Sequence, residues 1–183
     1  MIIYSDIKET LLCLNKKFNH VNSRSTRIAN LELCLYSKIA LLEYSGWLEQ
    51  SFDKILQEYI DKQTPTSAYR ILANKEMIKP IYGFQFERDF CPLFLGVLGV
   101  KNYEQLMTPF EATGEADVLR SRLNALIVYR NTLAHSCFHK NASLTSVLHS
   151  ATLPTPSSIY QDFFITLLPI MKKISTKVIK MKP

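Results

Sequence analysis

The sequence predicts an all-α fold, a helical bundle of four to five main helices, on three observations. Apolar residues return at spacings of three and four along most of the chain, as they do on helices with one buried face. Runs that alternate apolar with polar residues, as half-buried strands do, are scarce. Glycine is rare, five in 183 residues, and no segment repeats. A chain of this length can bury a core without staples and reads as a single domain over 1–183.

Residues 1–24 are expected to form an N-terminal arm or an extra helix, and residues 25–180 the helical core. The first long helix is predicted from Ser25 or Thr26 to about Tyr59. Its buried stripe is expected to hold Leu31, Leu35, Ile39, Leu42, Leu48, Phe52, Ile55 and Tyr59. Gly46 lies inside it and predicts close packing or a kink, because a mid-helix glycine costs about 1 kcal/mol against alanine. Thr64-Pro65 breaks the chain. A shorter helix covers Ser67–Ile78 and stops before Pro80. One or two short buried helices follow over 84–106, interrupted near Gly99, and then a turn-rich stretch from Thr108-Pro109 to Gly114. The next helix begins at Glu115 or Ala116, carries Val118, Leu119, Leu123, Leu126, Ile127 and Leu133 on its apolar stripe, and ends close to His135. Residues 136–158 are polar with two prolines and predict a loop. The last helix starts near Ser158, and Pro169 is expected to kink or split it.

Composition narrows the function classes. With 47% apolar and 21% charged residues, the chain belongs with folded globular proteins rather than disordered ones. The net charge is +6, which fits an acidic partner or plain solubility. Its distribution favours a polyanion. Between Thr10 and Leu31 stand Lys16, Lys17, Arg24 and Arg27 with no acid, and after Asp162 come Lys172, Lys173, Lys177, Lys180 and Lys182, again with none. Cys13, Cys34, Cys91 and Cys137 are spread without a CxxC pair. Asp6 and Glu9 fall where an apolar signal core would lie, so a reducing cytoplasm and mostly buried thiols are expected. The longest apolar run, Phe90–Val100, is too short to span a bilayer, and no membrane association is expected.

One segment carries candidate chemistry: Leu126-Ile-Val-Tyr-Arg130-Asn131-Thr-Leu-Ala-His135. An apolar helix delivers an arginine, an amide and, five positions after the arginine, a histidine. RNA brings its own nucleophile, the 2′-OH. Cleavage needs that hydroxyl deprotonated, the phosphate charge neutralised and the leaving 5′-oxygen protonated. Histidine titrates near neutrality and can move the proton. Arginine offers a fork of donors matched to phosphate oxygens, and Asn131 can orient either group. No metal or cofactor is called for. Arg130 and His135 would lie about 140° apart on a continuous helix. Either the helix ends before His135 or two chains contribute to one cleft.

This segment resembles the R-x4-6-H signature of the HEPN superfamily, in the form with Asn after the Arg and Ala before the His. Upstream, Ala40-Leu-Leu-Glu43-Tyr-Ser-Gly46-Trp47-Leu-Glu49 is similar to the first long helix of HEPN domains, especially the RiboL-PSP group. The resemblance implies a metal-independent endoribonuclease whose active site is composed by a homodimer, with Arg130, Asn131 and His135 as catalytic residues. It implies work in phage defence, a toxin–antitoxin pair or stress response, with an antitoxin or regulatory protein as a further partner. Some HEPN toxins are restrained by modification of a Tyr two residues after the motif His; here that position is Cys137, a departure that puts this scheme in doubt and leaves the cleavage chemistry untouched.

Accessory residues are open to two readings. Glu43 or Glu49 can hold His135 in one tautomer, or be exposed helix charges. Trp47 can stack on a base, or belong to the core or a dimer interface. His139 can contact phosphate. His135, Cys137 and His139 form H-x-C-x-H, without an evident fourth ligand for zinc. Lys172, Lys173 and Lys177 can track an RNA backbone, or be a solvated helix end. The alternatives to the enzyme are a non-catalytic HEPN module, binding RNA or nucleotide or serving as a dimerisation and protein-interaction scaffold, and a helical interaction domain with an accidental motif.

Overall fold

The computed structural model describes residues 5–23, 27–81, 83–134 and 154–181. Among these the chain is all-α, with no strand. It divides into two compact units. Of the described residues, the first comprises those in Trp47–Ile127 and from Leu167 on; the second comprises those from Ser5 to Gly46 and in Val128–Thr166. Helix α1 covers Ser5–Asn22, α2 Arg27–Gln63, α3 Ser67–Ala73, α4 Cys91–Ala112 and α5 Glu115–Ala134. A π-helical turn, Asn74–Ile78, extends α3, and another, Phe86–Phe90, leads into α4. Pro156–Ser158, the π-helical Ile159–Ile165 and α6, Thr166–Lys180, run on without a break.

The first unit is built on aromatic packing. Phe86 stacks on Phe90 at 5.3 Å between ring centroids, Phe90 meets Phe94 at 4.3 Å, and Phe52 of α2 sets its edge against both at 5.2 and 5.8 Å. Such pairs each contribute about 0.5–1.5 kcal/mol beyond their buried area. The segment leading into this stack is held by polar groups. The buried Asp89 carboxylate accepts from the Gln85 N–H at 2.9 Å and from Arg88 at 2.8 and 2.9 Å. Gly83 must be glycine: its φ is +119°, and a Cβ there would come within 2.5 Å of Asp89 Oδ2. At the far end of α2, Lys62 and Gln63 donate to the Ile179 and Met181 carbonyls at 2.7 and 2.8 Å, satisfying acceptors that a helix end leaves open.

Several expectations hold. α3 with its π-helical turn spans Ser67–Ile78, α5 begins at Glu115, and α4 is interrupted at Gly99, where φ is 75° and ψ 164°. The expected turn from Thr108 is corrected, since α4 continues through Pro109 to Ala112. Proline removes one hydrogen bond, but continuing the helix buries Leu106, Met107 and Phe110 together. Pro169 does not split the last helix either. The wider π-helical turn before Thr166 loosens the carbonyls that a proline ring four residues later would meet.

The second unit seats α1 on its own apolar face. Ile7, Leu11, Leu14 and Val21 are buried, and α1 packs on Pro156–Ser158 and Ile159–Ile165. The N-terminal segment is therefore a docked helix rather than an arm. Tyr44 of α2 meets Phe163 at 6.3 Å. The α2 stripe is rotated from the one expected. Leu48, Phe52, Ile55 and Tyr59 are buried as read, but Leu35 and Ile39 are exposed. The buried set before Leu48 is Cys34, Ser37, Ala40, Leu41, Tyr44 and Ser45. That set keeps the spacing of three and four without a break, and its small polar members pass for surface residues in a hydropathy reading. Gly46 marks no close packing, for nothing lies within 4 Å of where its Cβ would stand.

The expected loop over 136–158 lies outside the described residues up to 153. Its end is helical instead: Thr155 caps Pro156–Ser158, accepting the Ser158 N–H at 3.1 Å, with proline in the first turn where it is favoured. The thiols are also corrected. Cys34 is buried, Cys13 is exposed and Cys91 is half-buried.

Candidate functional site

The candidate motif rides on the last turns of α5. Acids in the first turn, Glu115 and Asp117, suit the positive end of the helix dipole. Leu119, Leu123, Leu126, Ile127 and then Leu133 bury one stripe. That stripe fixes how the helix is turned, and so which motif residues reach solvent. Val128 is exposed, Arg130 half-buried, and Asn131, Thr132 and Ala134 exposed. Thr132 turns its hydroxyl back to the Val128 carbonyl at 2.9 Å. The helix persists to Ala134, the residue before His135.

Arg130 and Asn131 are brought together. Arg130 Nη1 donates toward Asn131 Oδ1 at 3.5 Å, at the outer limit of a hydrogen bond. The amide thus faces the guanidinium at the surface of the second unit, with a buried leucine two residues further on to anchor the turn. A guanidinium half-buried in this way gains a preferred direction, which is what a phosphate clamp needs. His135, Cys137 and His139 lie outside the described residues. Among the described residues no group of three His, Cys, Asp or Glu side chains is placed to hold a metal ion.

The two candidate acids separate. Glu43 is exposed on the part of α2 that belongs to the second unit, with the motif. Glu49 is half-buried on the part that belongs to the first. There it stands one turn before Asp53. Asp53 keeps a flank in solvent, yet burial of its carboxyl, with the Glu49 charge adding to it, pushes its pKa up to about 6. Trp47 is half-buried in the same unit, and its carbonyl accepts the Ser51 hydroxyl at 2.7 Å.

The C-terminal lysines have work within the first unit. Lys173 pairs with Glu115, and Lys177 lies over the Phe110 ring at 5.8 Å. Lys172 is exposed. A polar cluster that the sequence did not signal also lies in this unit. Arg120 pairs with Glu87 at 2.9 Å and Asp117 at 2.8 Å and covers the Phe86 ring at 4.9 Å. Asn124 donates to Glu87 at 3.2 Å and accepts the Phe86 N–H at 3.1 Å. The Asn124 hydrogen bond, with the Arg120 charge beside it, lowers the Glu87 pKa. Apart from the Arg120–Asp117 pair, which lies within α5, these contacts join α5 to the entry of α4, so the cluster reads as a structural tie. Burial pushes the nearby Cys91 thiol up, away from thiolate character.

Lys16 and Lys17 were visible only as part of an acid-free run; exposure on the outer face of α1 singles them out. Among the described residues, no helix is long and apolar enough to cross a membrane. Comparison with family models, with curated proteins and with solved structures finds no match in any of the three.

Proposed function

We propose that this chain is a metal-independent endoribonuclease of the HEPN type, cleaving RNA by 2′-OH attack in a site composed by two copies of the chain. The observation that carries the reading is the pairing of Arg130 with Asn131 at the solvent edge of α5, immediately before His135. In this reading the Arg130 fork holds the scissile phosphate and stabilises the charge that builds on it. Asn131 steers the guanidinium. His135 moves the proton between the 2′-OH and the leaving 5′-oxygen. One chain brings one such histidine, and two copies supply an acid and a base. Exposed Leu35, Ile39 and Val128 give the motif-bearing unit apolar surface for a second copy. The setting would be the cytoplasm, in phage defence, a toxin–antitoxin pair or stress response.

The test is incubation of purified protein with total RNA and with tRNA in EDTA, beside a His135→Ala control. Cleavage that leaves a 2′,3′-cyclic phosphate and a 5′-hydroxyl, and that the variant loses, is the expected result. Cleavage that needs added magnesium or manganese, or that the variant retains, rejects the mechanism. RNA binding that depends on Arg130 without cleavage would leave a non-catalytic HEPN module.

A further inference from the structure

α1 carries acids in its first half alone. Asp6 and Glu9 stand there together with Lys8, and the second half holds Lys16, Lys17 and His20 with no acid. Ile7, Leu11, Leu14 and Val21 face its own unit, Leu12 and Cys13 are exposed, and Lys16 and Lys17 make the outer face of the second half basic. Lys16 and Lys17 are exposed and adjacent, and among the described residues they make no ion pair. The nearest acid on the same helix, Glu9, is seven residues before Lys16, about 10 Å along the axis. The helix dipole does not account for them, because its effect fades beyond the last turn, and there the basic residue is His20.

The other basic end is partly matched within the first unit, although Lys180 is exposed there. Lys173 and Lys177 are engaged by Glu115 and Phe110. Lys16 and Lys17 are held by nothing described, and they belong to the unit that carries Arg130 and Asn131. We infer that Lys16 and Lys17 contact the phosphate backbone of single-stranded RNA and hold it on the unit whose motif acts on it. The inference rests on the ribonuclease reading for its purpose, but its evidence and its test are separate. An anionic membrane is the less fitting polyanion. Helices that lie on membranes insert an apolar face, and the main apolar face of α1, Ile7, Leu11, Leu14 and Val21, is already buried, leaving Leu12 as the one large aliphatic side chain exposed on it.

The experiment measures affinity for a 2′-O-methyl oligonucleotide, which lacks the attacking hydroxyl and cannot be consumed, across a series of salt concentrations. The Lys16→Gln/Lys17→Gln variant keeps good helix formers on an exposed face and should fold as wild type. Each phosphate contact on a single strand contributes about 0.7 to the slope of log affinity against log salt, so the slope should fall by about 1.4. The control, Lys54→Gln/Lys101→Gln, alters exposed lysines of the first unit and should leave it unchanged. An unaltered slope in the α1 variant overturns the inference, as does absence of binding by wild type at low salt. Binding to phosphatidylserine vesicles with the same lysine dependence, without oligonucleotide binding, also overturns it. Cleavage of ordinary RNA is assayed alongside. A lost slope without any wild-type cleavage sustains the surface and removes the ribonuclease; cleavage with an unmoved slope does the reverse.

Discussion

In the first unit Arg120 is shared between Glu87, Asp117 and the Phe86 ring, Lys173 meets Glu115, and Arg88 closes on the buried Asp89. In the second unit Arg130 reaches toward its neighbouring amide, and Lys16 and Lys17 stand in solvent. The two units use basic residues differently. In the first, several guanidinium and ammonium groups join elements of the fold and are matched locally, while others, such as Lys54 and Lys101, are exposed. In the second, Lys16 and Lys17 face outward from a helix whose packing face is apolar. The difference teaches that a basic composition says little about where a polyanion binds until the internally matched charges are set aside.

The comparison breaks most sharply at the motif. Arg130→Ala and His135→Ala should each lower RNA cleavage by about 10²–10⁴-fold with little change in thermal midpoint. Arg130→Ala should also weaken RNA affinity, while His135→Ala should leave it near wild type, because a neutral histidine adds little to ground-state binding. Cleavage, affinity and melting measured on the same preparations decide it. Undiminished cleavage by folded His135→Ala would remove the enzyme reading.

Phe90→Ala probes the opposite kind of region. It empties the centre of the Phe52, Phe86 and Phe94 cluster and should cost about 3–5 kcal/mol in denaturant unfolding. A loss below about 1 kcal/mol would mean the aromatic cluster is not what holds the first unit.

Ile39→Glu places a carboxylate on an exposed site of α2 in the second unit. Sedimentation should then show self-association weakened roughly tenfold or more, with the fold intact, because charge at an apolar contact must be desolvated. An unchanged dimer would place the interface elsewhere.

The smallest expected effect is on Asp53. Its folded-state pKa of about 6 lies above the usual unfolded carboxyl value. Its contribution to stability is therefore complete below about pH 4 and is lost as pH rises through about 6. Asp53→Asn should stabilise the protein at pH 8 by less than about 1 kcal/mol, allowing for solvent screening at this exposed position. The gain should shrink toward pH 4. A gain that grows on acidification would contradict the raised pKa.

Much of the helix plan was legible from periodicity and punctuation. Thr64-Pro65, Gly99 and Glu115 mark their boundaries by backbone chemistry that tertiary packing does not override. Pro109 misled because a proline's local cost is visible in sequence, while the compensating burial of Phe110 is not. The first half of α2 misled for a related reason. Cys34 and Ser37 are small enough to sit inside without a large hydrophobic signal, and Leu35 and Ile39 look like core wherever they point. For the candidate site, the sequence sufficed to place Arg130 and Asn131 at the end of a helix. It could not tell that Glu43 and Glu49 fall in different units, since both belong to one uninterrupted helix. Nor could it separate Lys16 and Lys17 from Lys173 and Lys177, since counter-charges such as Glu115 are distant in sequence.

The amides of Gln85 and Phe86 are held by side chains, Asp89 for one and Asn124 for the other. Their exchange with deuterated water is thus governed by two different residues, although the amides are adjacent. Truncating Asn124 unprotects Phe86 while Gln85 stays slow, and losing the Asp89 carboxylate does the opposite. The entry to α4 therefore carries two independent clasps, and a labelling experiment reads each of them separately.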